Sequence, residues 1–289
     1  MEIFSLNGRQ FYRSGRLLKV CGLYNAWYED IEDPESLARA LRRLKPRLHI
    51  FTFFQRPPHV EPYYSYQREP YSVSVMRITT YDNWWTNSIG KKTRYLVKKA
   101  QKSGVDIRIA DFDDEFIKGI ASIYNETPIR QGHRFPHYND TLEKVRRENG
   151  TFRDRSAFLG AYHQDELIGF AKIVFEKEFA DVLQLLSKIA HRDKGVTNAL
   201  LAEAVKLSAV RGTRYLAYGD WNESSLSDFK RHNGFERMDL PRYYIPLDWT
   251  GTIALKMRLH RPISAVLPAS AKFLLKDVRR RWHQLKVKV

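Results

Sequence analysis

The chain has 289 residues, 43% of them hydrophobic and 13% aromatic, which suits one large core or two modest ones and excludes an intrinsically disordered protein. Its net charge of +16 favours polyanionic partners (nucleic acid, anionic lipid headgroups, phosphorylated ligands) and equally fits a basic, well-solvated surface. One cysteine, Cys21, rules out an intrachain disulfide, no Cys/His cluster suggests zinc, and no apolar run nears the ~20 residues of a membrane-spanning helix.

The N-terminus lacks a basic stretch followed by an apolar one, so a soluble cytoplasmic protein is expected. Strands are predicted within LLKVCGLYNAWY, HIFTFF and YSVSVMRI, around one helix, PESLARALRRL, with Pro34 in its first turn. Residues 57–71, rich in proline and tyrosine, read as an ordered surface loop, and KKTRYLVKKAQKSG (91–104) as a basic helix stopped by Gly104. VDIRIAD (105–111) is a predicted strand, DEFIKGIASIYNET a helix, PIRQGHRFPHY a loop, and about 140–148 another helix. SAFLGAYHQDELIGFAKIVFE reads as a hairpin turning at Gln164-Asp165-Glu166. ADVLQLLSKIA (180–190) is a strand and VTNALLAEAVKLSAV a helix with apolar residues at helical spacing. TRYLAYGDW is a strand, SSLSDFKRH a short helix stopped by Gly234, and ERMDLPRYYIPL a last strand. Antiparallel strands leading into a β-α-β unit make the fold α/β or α+β, not doubly wound.

The pattern R/Q-x-x-G occurs four times, ending at Gly104, Gly150, Gly195 and Gly234. Only Arg192–Gly195 follows a strand, opens a helix and has a small residue, Thr197, two places on. A helix N-terminus exposes unpaired N–H groups and a partial positive charge, a cradle for a diphosphate. Gly195 would let the backbone approach the anion, while Arg192 and Lys194 add charge-assisted contacts. An ordinary strand-to-helix corner with solvated basic side chains is the competing reading.

RDKGVT resembles the acyl-CoA pyrophosphate loop of the GNAT acyltransferases, Q/R-x-x-G-x-G/A, with Thr197 as the final small residue. The element order over residues 105–247 is similar to a GNAT fold, with a mixed, largely antiparallel sheet. The resemblance implies an acyl-CoA co-substrate whose pantetheine follows Ser187, Lys188, Ile189 and Ala190 and whose diphosphate sits on Arg192, Lys194, Gly195, Val196, Thr197 and Asn198. KTRYLVKKAQKSGV and the Phe229-Lys230 pair before Asn233-Gly234 resemble the FemAB-type peptidyltransferases. That family pairs two GNAT-like halves and takes aminoacyl groups from charged tRNA. Many GNAT enzymes carry a tyrosine acid four places before the last glycine; Lys230 stands there, as in the Fem pattern.

Acyl transfer to an amine needs a base for the amine proton and a donor for the leaving group. Glu126, at a helix end, is the candidate base, or else a surface glutamate. Tyr218 is the candidate proton donor, or a strand tyrosine. Lys230 would hold a phosphate or stabilise the transition state, or be solvated. Arg130, Arg134, His137 and Tyr138, with His133, would grip a carboxylated or phosphorylated acceptor from the loop 128–138. Near the C-terminus, Ala271, Leu274, Leu275, Val278, Trp282 and Leu285 form an apolar stripe opposite basic residues: a helix packed on the body, or a contact for anionic membrane or RNA.

The expected organisation is an N-terminal α/β, degenerate GNAT-like half (1–104), a GNAT acyltransferase domain (105–250) and a basic amphipathic helical extension (251–289). The expected function is direct transfer of an acyl group, acetyl first, from acyl-CoA to a small-molecule or peptide amine without a metal. Aminoacyl transfer from tRNA, or non-catalytic binding to nucleic acid or a membrane surface, are the alternatives.

Overall fold

The computed structural model describes residues 1–130, 132–222 and 225–261. The first strands are β1 (Glu2–Leu6), β2 (Arg9–Ser14) and β3 (Val20–Leu23), followed by α1 (Pro34–Arg42), β4 (Ile50–Phe54) and β5 (Gln67–Arg77). A short α2 (Tyr81–Asn83) runs through one π turn at Trp84–Ser88 into α3 (Lys91–Lys102), then β6 (Asp106–Ala110), α4 (Asp114–Tyr124) and the two-residue strands β7 (Ile129–Arg130) and β8 (His133–Arg134). Next come α5 (Leu142–Asn149), β9 (Ser156–His163), β10 (Glu166–Phe175) and β11 (Phe179–Ser187). A 3-10 turn (Ile189–Lys194) leads into α6 (Val196–Val210), β12 (Tyr215–Asp220), α7 (Ser225–His232), β13 (Glu236–Pro246) and α8 (Trp249–Lys256).

The chain forms two compact units, residues 72–238 and residues 1–71 with 239 onward. The larger unit carries the sheet order β5-β12-β11-β10-β9-β6, antiparallel except for the β11/β12 pair. Its strands alternate side chains between two cores, as the pleat requires. Ile168, Ala171 and Ile173 of β10 face Leu200, Leu201 and Val205 of α6, whereas Leu167 and Phe170 face Phe116, Ile120 and Tyr124 of α4. Each fully buried Leu, Ile, Val or Phe among them contributes about 1.5–3 kcal/mol relative to exposure. Asp113 starts α4 by accepting a hydrogen bond from Phe116 N at 2.8 Å, and Thr141 caps α5 in the same way.

The smaller unit carries β1-β2-β3-β4-β13, with β3/β4 parallel and α1 as their crossover helix. Each unit thus holds one β-α-β crossover, β3-α1-β4 here and β11-α6-β12 in the larger. Each is closed by an antiparallel strand distant in sequence: β13 lies against β4, with Tyr243 opposite Phe53, and β5 against β12. The compact units are therefore not cut at 104 and 250, because β5 with α3 packs in the larger unit and Arg242–Pro246 ladder onto Phe54–Ile50. The opening hairpin turns on Asn7-Gly8, both at positive φ (50° and 75°), a two-residue asparagine-glycine turn whose sequence signal is plain once seen. Helix α8 overlaps the start of the expected helical extension (251–289), and the predicted C-terminal helix at 268–286 lies outside the described residues. No helix among the described residues is long and apolar enough to cross a membrane.

Candidate functional site

The parallel pair β11/β12 is in register for only three positions, Phe179↔Tyr215, Ala180↔Leu216 and Asp181↔Ala217. Beyond Asp181, β11 continues to Ser187 on its β10 side alone, and β12 continues to Asp220 against β5. The sheet is thus parted where the two strands run toward their C-terminal ends. A cavity of about 770 Å³ occupies this region, within the range of small-molecule sites. Leu185, Leu186, Phe135, Leu226 and Phe229 give it apolar walls, and Arg130, Arg134, Arg192, Tyr218 and His133 its polar groups.

The loop below the parting is a 3-10 turn that ends on Gly195 in the left-handed region (φ 75°). Of the four R/Q-x-x-G glycines, Gly104, Gly150 and Gly234 follow helices α3, α5 and α7, and only Gly195 begins one. A Cβ on Gly195 would stand 2.4 Å from the backbone oxygen of Leu96 in α3. Close packing of α3 therefore demands glycine, independently of any anion. Val196 and Thr197 open α6 and line the cavity; among the described residues, nothing accepts from their N–H groups, as expected of the first helical turn. Asn198 instead turns inward, its amide donating to Asn233 at 3.2 Å. Lys188 pairs with Glu166, and Lys194 is half-buried at the end of the turn.

Glu126 takes a part that its sequence position did not suggest. Its carboxylate accepts from Ile189 N at 2.6 Å, Ala190 N at 2.8 Å and Arg130 Nη2 at 3.1 Å. Arg130 in turn donates to Ser187 O at 2.9 Å and Ile123 O at 2.8 Å, and its guanidinium stacks over Phe135. The pair clamps the end of β11 to the end of α4, and a carboxylate so engaged is a poor candidate for the base. Arg130 Nε is buried and has no protein partner, on a residue that lines the cavity. Burial lowers the Arg130 pKa, the nearby Glu126 opposing the shift.

Tyr218 lines the cavity, and desolvation with the nearby Asp181 charge raises its hydroxyl pKa, so the phenol stays protonated. Lys230 is 3% exposed, lies 4.7 Å from the Tyr218 ring centroid and donates to Asp220 O at 2.8 Å. Burial lowers its pKa to about 8. The amine is thus neither solvated nor a wall of the cavity; it sits behind Tyr218.

Of the predicted acceptor residues, Arg130 and Arg134 face the cavity, but His137 and Tyr138 do not line it. His137 stacks on Tyr124 at 4.7 Å between centroids and lies 3.1 Å from Asp140. With Glu148 they form a cluster, into which the Lys144 ammonium reaches, 2.6 Å from Asp140 and 3.9 Å from Glu148. Sequence reasoning passed over the apolar wall, whose residues carry no chemical signal, and Lys172. That lysine is fully buried within β10, donates to Asn149 O, Thr151 O and Thr151 Oγ1, and has its pKa lowered by burial to about 8.

A largely antiparallel sheet with one parted parallel pair above a glycine-led helix N-terminus is the arrangement that the GNAT resemblance implies for residues 105–247. Residues 117–235 match the model of the Acetyltransferase (GNAT) family, so this part of the chain is similar to a GNAT domain. No curated protein matches the sequence. Among solved structures, FemX is similar at 12% identity over 84% of this chain and 87% of that one, with a TM-score of 0.57. L-PGS from Bacillus licheniformis is similar at 15% identity over 83% and 82%, TM-score 0.55. The C-terminal domain of a putative lysylphosphatidylglycerol synthetase from Agrobacterium fabrum is similar at 9% identity over 88% and 86%, TM-score 0.56. At these identities the likeness is one of fold.

Proposed function

We propose that the protein transfers an acyl group from acyl-CoA to an amine by direct attack. The parting of β11 from β12 beside the cavity carries this reading. The edge of β11 at Leu185, short of the Ser187 carbonyl held by Arg130, offers backbone groups to a pantetheine arm, and the N–H groups of Val196 and Thr197, with Arg192, suit a diphosphate. The acceptor nitrogen attacks the thioester carbonyl carbon, the carbon–sulfur bond breaks and the thiolate leaves. Tyr218, held protonated, hydrogen-bonds the departing sulfur. Lys230 acts through the Tyr218 ring as a positioning residue. Among the described lining residues, His133 is the side chain placed to accept the amine proton. Arg134 would orient an acidic group on the acceptor.

Thermal-shift measurement with CoA, acetyl-CoA, longer acyl-CoAs and charged tRNA tests the assignment. CoA compounds well above their Kd should raise Tm by roughly 5–10 °C, and Arg192→Glu should abolish the rise. The alternative donor is charged tRNA, favoured by fold likeness to FemX over most of both chains and by the capture of two loop N–H groups by Glu126. No shift with CoA compounds, together with salt-dependent tRNA binding, would replace the first reading with the second.

A further inference from the structure

Helix α8 begins at Asp248, whose side chain accepts from Gly251 N at 2.8 Å and lies 2.8 Å from His49 Nδ1. A Cβ on Gly251 would lie 1.9 Å from His49 O, so the helix presses directly on that backbone. Ala254 and Leu255 are buried with Ile50, beside Leu18 and Val20. Since Gly251, Ala254 and Leu255 take the inner side, residues spaced by four on the opposite side must face outward. Those residues are Trp249, Ile253 and Met257, which are 71%, 46% and 65% exposed. A firmly seated helix thus presents three large apolar side chains to solvent, where lysine or glutamate would be the ordinary choice.

The surroundings are basic. Lys256 and Arg258 follow along the chain, Arg261 is paired with Glu69 at 2.7 Å, and from Trp249 to Val289 the sequence holds one acidic residue, Asp277. A second copy of this face would bring like charges together. So would the basic stretch 272–288 of the same chain. Nucleic acid would satisfy the charge but offers no apolar phase for Ile253 and Met257. An anionic lipid surface supplies both, with phosphates for the basic rim and an acyl boundary for the apolar residues, and tryptophan is suited to that interface.

We propose that the outward face of α8, centred on Trp249, Ile253 and Met257, docks the protein on anionic membranes. The inference is independent of the donor assignment. Full-length protein is sedimented with phosphatidylcholine vesicles, with and without about one-third phosphatidylglycerol. Binding is expected only to the anionic vesicles, and Trp249→Ser/Ile253→Ser should lower the partition coefficient about tenfold. The variant should keep the wild-type Tm, because both side chains are exposed. Lys256→Glu/Arg258→Glu should weaken binding with the apolar face intact. Three results overturn the proposal: no binding of the wild type, wild-type binding by the double-serine variant, or concentration-dependent self-association that the serine pair abolishes. In the second case, loss of binding in Trp282→Ser would place the contact in the C-terminal stretch instead.

Discussion

Replacing Gly195 by alanine tests how the proposed donor loop is held. The new Cβ would meet Leu96 O at 2.4 Å and Leu96 C at 3.1 Å, both backbone atoms of α3 that no rotamer change can move. The residue would also keep φ near +75°, at roughly 1–2 kcal/mol for a residue with a Cβ. Overpacking against the helix adds about 1–3 kcal/mol, giving about 2–5 kcal/mol in all. For a unit of this size that is a fall in Tm of roughly 5–15 °C. Gly212→Ala is the control: its φ is +71° but nothing lies within 4 Å of the new Cβ, so only the backbone term of about 1–2 kcal/mol remains. Differential scanning fluorimetry on both variants separates the two contributions, and donor titration should show weaker binding in Gly195→Ala alone. Equal losses in the two variants would refute the packing of α3 as the reason for this glycine.

Glu126→Gln keeps the shape of the clamp but turns an amide N–H toward the N–H donors of Ile189, Ala190 and Arg130. A loss of about 1–3 kcal/mol is expected, seen as a lower Tm and a raised KM for the donor, with the pH profile unchanged in shape. An unaltered Tm with one limb of the kcat/KM profile gone would restore Glu126 as the base. Lys172 and Lys230 predict the pH dependence of stability. Each is held near pKa 8, below the 10.5 of a free lysine, so the unfolded chain binds more protons between those values. Stability should therefore rise as pH climbs from about 8 to about 10.5, and Lys172→Met should flatten the rise. Urea midpoints across that range decide it, and an undiminished slope in the variant would remove Lys172 as a cause.

Much of the larger unit was legible from periodicity and punctuation. The hairpin around Gln164-Asp165-Glu166, the α6 pattern and the strand–loop–helix setting of Gly195 are local signals, and local signals survive in sequence. The surroundings of Glu126, Lys230 and His137 were not legible, because each is fixed by partners on other elements: Ile189 and Ala190, Tyr218 and Asp220, Tyr124. Lys172 looks like a solvated lysine until the Asn149 and Thr151 carbonyls are brought to it.

By itself the sequence determined the class of fold, the strand–turn–helix setting of Gly195 and the basic character of the chain. These follow from spacing, glycine and charge, which neighbours in the chain define. Only the tertiary structure decided that β11 and β12 part after Asp181, that β5 and β13 close the two sheets, and that Gly195 answers to Leu96. Strand pairing and close packing join residues of large sequence separation, and no local pattern encodes which partner arrives.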